Sequence, residues 1–172
     1  MKLAIAALLA LLAGPAIAQH HKQHHNHTPY AGLQQRTIKA LSDEQIADLK
    51  TGRGMGLALA AELNGYPGPL HVLELKDQLR LTAEQRAQFQ RLYDSMKVEA
   101  IATGEALIEG ERSLDQRFAK RTMTPEDLAA LTAKIGNAQG KLRAVHLKYH
   151  LTTADLLTAD QRQRYAELRG YR

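Results

Sequence analysis

The sequence has no cysteine and no tryptophan, and only two phenylalanines and six tyrosines among its 172 residues. Without a thiol there is no disulfide framework, no Cys-ligated zinc or iron–sulfur centre and no thiol nucleophile. So few aromatic rings leave little for base or sugar stacking, and a nucleic-acid partner is not expected. Charge of one sign is also scarce: 23 basic against 18 acidic side chains give +5, mixed along the chain rather than gathered in blocks. The apolar run from Leu3 to Leu12 is too short for a bilayer core of about 30 Å, which takes about 20 apolar residues as a helix, so the chain is not expected to span a membrane. No Gly-rich phosphate loop, G-x-S-x-G turn or H-E-x-x-H pair is present, and enzymatic chemistry is not expected.

Lys2, the apolar run, the Gly14-Pro15 breaker and the small residues of Ala16-Ile17-Ala18 read as a cleavable secretory signal over residues 1–18, which places the mature chain in the periplasm. Residues 19–41 read as a His-rich flexible segment. Five of the eight histidines, His20, His21, His24, His25 and His27, fall within eight residues that offer no apolar anchor, a composition that does not order itself. Imidazole suits zinc, copper, nickel and cobalt, so this tract is a candidate for capturing such an ion, with a solvated polar tail as the alternative. No cofactor is required.

From residue 42 to 172 the pattern is a single all-helical domain. Ser42-Asp43-Glu44-Gln45, Thr82-Ala83-Glu84-Gln85 and Thr158-Ala159-Asp160-Gln161 each place a hydroxyl at the N-cap, an acid in the first turn and glutamine at the third helical position. That is a capping box. Thr124-Pro125 marks a fourth start, with proline at the first helical position. The first helix is expected to be irregular and to end near Asn64, because Gly52, Gly54 and Gly56 interrupt it. A short helix from about Leu70 to Arg80 should follow.

Two long helices come next, from Thr82 and from Thr124. Apolar steps of three and four run through Phe89, Leu92, Met96, Ala100, Leu107, Leu114 and Phe118, and then through Leu128, Leu131, Ile135, Ala138, Leu142, Val145 and Tyr149. Residues 119–123 can only reverse the chain, so the two helices form an antiparallel hairpin about 50 Å long. Such a hairpin has more apolar surface than its short neighbours can cover, and a homodimer is expected.

His146 and His150 stand four apart on the last long helix, on one face, each next to a seam residue. Counting back from the reversal puts Glu99 near the level of His146, and a carboxylate beside an apolar seam needs a partner. Glu99, His146 and His150, with His71 or Glu74 from the short helix, are therefore candidate ligands for a divalent transition metal, with ordinary packing histidines as the alternative.

Leu81-Thr82-x-x-Gln85 and Leu157-Thr158-x-x-Gln161, at the two ends of a long hairpin in an exported cysteine-free chain, resemble the LTxxQ family, which includes the Spy and CpxP periplasmic proteins and the metal-responsive ZraP and CnrX. The resemblance runs from about residue 41 to the end. It implies a cradle-shaped helical dimer that acts as an ATP-independent chaperone for unfolded or misfolded exported proteins, as an inhibitor of a membrane signalling protein, or as a metal sensor. On the chaperone reading Arg112, Arg117, Lys120, Arg121 and Arg143 form a cationic rim for clients. On the sensor reading the His146/His150 pair occupies the place of the nickel/cobalt relative's ligands four apart. The residues themselves assign Leu81, Thr82, Gln85, Leu157, Thr158 and Gln161 to structure, because capping accounts for each polar type in the motif.

Overall fold

The computed structural model describes residues 30–171; the signal and the five tail histidines lie outside the described residues. After a 3-10 turn at Leu33–Gln35, six helices follow: α1 (Asp43–Thr51), α2 (Leu59–Glu62), α3 (Pro69–Glu74), α4 (Ala83–Ala119), α5 (Pro125–Leu156) and α6 (Ala159–Leu168). The fold is all-α. All four expected N-caps are present, with Ser42, Thr82, Thr124 and Thr158 each accepting from the amide three residues on.

The first part differs from the sequence expectation. Helix α1 stops at Thr51, because Gly52 takes the left-handed conformation (φ 70°) that a C-terminal cap favours and only glycine enters without cost. The chain to Asn64 is a glycine-rich loop and the single turn α2, and the short helix α3 ends at Glu74 rather than near Arg80. The boundary at residue 42 also moves. Ile38 and Leu41 are buried in the core, so the packed body begins inside the segment read as flexible.

Helices α4 and α5 form the hairpin, with α1 and α3 packed on α4 and α2 and α3 contacting α5. Two apolar clusters lie along it. In the middle, Ile38, Leu41 and Leu49 pack with Ala100, Leu107, Ile108, Ile135, Ala138 and Leu142. At the open end, Val72, Leu79, Leu81, Phe89, Leu157 and Tyr165 pack together. Close approach explains two helix glycines: a methyl on Gly104 would stand 2.7 Å from the Leu49 carbonyl oxygen, and one on Gly110 would stand 2.9 Å from Ile135. Among the described residues none forms a third layer over the distal part of the hairpin, and Phe118 is 56% exposed. Among the described residues no helix is long and apolar enough to cross a membrane.

Candidate functional site

Between the two clusters the hairpin leaves an open cleft of about 630 Å³. One wall is the glycine-rich loop from Gly52 to Gly56, with Met55 and, beyond it, Leu59. Gly68, Leu70 and His71 form a second. Tyr93 and Met96 from α4 and His146 and His150 from α5 form the floor, and Arg169 and Tyr171 close the remaining edge. Met55, Leu59, Leu63, Tyr66 and Leu70, all in the segment around this cleft, are exposed large apolar side chains.

The polar centre is Glu62, only 6% exposed. Its carboxylate accepts from the Tyr165 hydroxyl, from the Tyr171 hydroxyl at 3.1 Å and from the Gly68 amide at 3.2 Å. His150 Nδ1 lies 3.6 Å away and Arg169 Nε 3.8 Å away. A buried carboxylate demands such a set of donors. Burial, reinforced by the Glu62 carboxylate, pushes the Tyr165 hydroxyl well above its ordinary value, so it remains a donor.

The two histidines are buried beside the apolar seam, facing the cleft and its loops. His150 Nδ1 donates to the Tyr66 carbonyl at 2.7 Å, and its other ring edge lies so close to Gly68 that a methyl there would come within 2.8 Å of Nε2. His146 is 2% exposed, and among the described residues its Nε2 has no hydrogen-bond partner. Burial, and then the adjacent His150, hold its imidazole below the usual value.

Of the expected metal ligands, His71, His146 and His150 line the same cleft, whereas Glu99 and Glu74 are turned to other partners. Glu99 accepts from Lys148 Nζ at 2.7 and 2.9 Å and from the Tyr149 hydroxyl at 2.7 Å, and Lys148 above all holds its carboxyl below the ordinary range. His71 Nδ1 is bonded to Glu74 at 2.9 Å, within α3. Among the described residues no three His, Asp or Glu side chains gather as a ligand set. Counting from the reversal had matched the level of Glu99 correctly but not its partner, because Lys148 and Tyr149 reach the carboxylate from the same helix.

The expected cationic rim is partly engaged. Arg112 pairs with Glu109, and Arg117 pairs with Asp127 at 2.5 Å across the hairpin end. Lys120, Arg121 and Arg143 are exposed.

The capping glutamines do more than cap. In each box the side-chain oxygen accepts from the N-cap amide, Thr82 to Gln85 at 3.2 Å and Thr158 to Gln161 at 3.0 Å. The two amides also face one another: Gln85 Nε2 donates to Gln161 Oε1 at 3.0 Å, and Gln161 Nε2 donates to Gln85 Oε1 at 3.1 Å. Their remaining N–H groups reach the Leu156 and Leu79 carbonyls, respectively. Leu81 and Leu157 are buried together beneath this clasp. The two motifs therefore form one pseudo-symmetric object at the base of the hairpin. A family model described as LTXXQ motif family protein matches residues 70–169, more than half of the chain and both motifs.

The chain belongs to the LTXXQ motif family.

No curated protein and no solved structure matches it. Within this LTXXQ protein, the residue that sequence reasoning missed is Glu62. Its signal was there: an acid inside the otherwise apolar run Leu57-Ala58-Leu59-Ala60-Ala61-Glu62-Leu63 is costly unless paired. Its tyrosine partners are more than 100 residues away and could not be paired with it from spacing.

Proposed function

We propose that this LTXXQ protein is exported to the periplasm and acts there without catalysis or ATP, as a holdase that shelters apolar segments of unfolded proteins. The observation that carries this reading is the cleft, lined by the exposed Met55, Leu59 and Leu70, with Leu63 and Tyr66 exposed on the same segment. Apolar side chains gathered around an opening mark a binding surface more often than chance exposure. Covering a half-exposed leucine contributes on the order of 1 kcal/mol, so a few such contacts give the weak, reversible grip that a holdase needs. The uncovered distal hairpin around Phe118 and Leu128 suits a second copy of the chain, and the working unit is then a dimer.

The test is suppression of aggregation of a reduced, denatured model client. The variant Leu59→Ser/Leu63→Ser/Leu70→Ser should keep its helix content, since these side chains lie outside both cores, and should lose several-fold in suppression. Undiminished suppression by that variant would remove the cleft from the reading.

A further inference from the structure

One edge of the cleft differs in kind from the others. The α3 side is anchored by the fully buried Val72 and by the bond from His150 to Tyr66. The edge at Arg169–Tyr171 is a short strap beyond α6, turned by Gly170 in the left-handed conformation (φ 71°). It touches Glu62 through the Tyr171 hydroxyl at 3.1 Å and the Arg169 guanidinium at 3.8 Å. The two side chains act as one unit, with Arg169 Nε donating to the Tyr171 hydroxyl at 3.3 Å and its guanidinium carbon 5.8 Å from that ring's centroid.

Withdrawing the strap does not strand the carboxylate. Glu62 keeps the Tyr165 hydroxyl and the Gly68 amide, so the cost of an orphaned buried charge is avoided. Asp48 already pairs with Arg53 at 3.3 Å. Glu62 is then the carboxylate of the cleft that has lost its guanidinium neighbour. An open cleft therefore offers a carboxylate beside aromatic and apolar walls, which is complementary to a cation next to an aromatic ring.

We propose that the strap is an internal mimic of the ligand, and that the cleft takes polypeptide segments carrying Arg or Lys two residues from Tyr or Phe, which displace Arg169 and Tyr171 from Glu62. The proposal rests on the holdase reading and names its substrate class and its gate.

The probe is the peptide acetyl-Leu-Arg-Gly-Tyr-amide, titrated by calorimetry against the mature chain and against its Arg169→Ala/Tyr171→Ala variant. The variant should bind it at least tenfold more tightly than the unaltered chain, because the competing strap is gone. A peptide with Glu in place of Arg should bind neither. Glu62→Gln in the variant background should abolish the preference between the two peptides; should that substitution unfold the chain, the peptide pair alone still decides. Equal affinity of both proteins for the Arg peptide, or equal binding of the Glu peptide, overturns the proposal. The client assay separates the two ideas. Strong suppression that ignores both strap and client cations leaves the holdase without this gate, whereas peptide binding without suppression leaves the gate and removes the holdase.

Discussion

Replacing Gln85 and Gln161 by alanine, singly and together, measures the clasp. Each glutamine side chain makes four hydrogen bonds: one from its own N-cap amide, two with the opposite glutamine and one to a backbone carbonyl. At about 1 kcal/mol net per bond in a part-buried setting, each single variant should lose about 3 to 4 kcal/mol. The two bonds between the glutamines are counted in both singles, so the double variant should cost less than their sum, by about 2 kcal/mol. Thr82→Ala removes only a cap and should cost about 1 kcal/mol. Urea unfolding of the mature chain, followed by circular dichroism at 222 nm, gives all four values. A coupling below about 0.5 kcal/mol, or a glutamine that costs no more than its threonine, would mean that the motifs are two independent caps and that the ring between them contributes nothing.

Other outcomes follow from single positions. Gly104→Ala forces a methyl against the Leu49 carbonyl and should destabilise by about 1 to 3 kcal/mol, whereas Gly136→Ala and Gly140→Ala, where a methyl meets nothing within 4 Å, should stabilise by up to about 1 kcal/mol; thermal melts of the three decide. The imidazole of His146 is held low in the folded chain by burial first and His150 second, so the unfolded chain takes up that proton more readily. Stability from this group is complete above about pH 6.5 and should fall below it by up to about 1.4 kcal/mol per pH unit; urea midpoints across pH 7.5 to 5.5 should slope in this sense, and less so in His146→Gln. Deleting residues 19–27 should remove the tightest copper or nickel binding seen by calorimetry while leaving helix content unchanged, because this dense run of five histidines offers no apolar side chain to a core.

The helices were legible because their starts are written in local chemistry. Ser42, Thr82, Thr124 and Thr158 needed no tertiary information, and the three-four spacing of apolar residues placed the hairpin from Ala83 to Leu156. The end of α1 was misplaced because Gly52, Gly54 and Gly56 were read as irregularities within one helix, whereas the left-handed turn at Gly52 ends it. The buried face widens along α5, where Ile135, Ala138 and Leu142 continue into His146, Tyr149, His150 and Thr153, because the loops at Gly54 and Gly68 cover the two rings. Glu99 was expected to serve the histidines, since a count along two helices gives level but not azimuth. The cleft, the Glu62 network and the joining of the two motifs depend on contacts across 70 to 110 residues, which periodicity does not encode.

The same clasp dictates an order of events in folding. Gln85 and Gln161 are 76 residues apart, and the closure of so long a loop is rewarded only after α4 and α5 have zipped together from their own short-range contacts. A chain that has delivered everything up to Leu156 can build the hairpin and its middle cluster, yet the base stays open until Gln161 arrives. Closure of the base is thereby deferred until α6 has been delivered, and a chain that reaches Gln161 differs sharply from one that stops short of it.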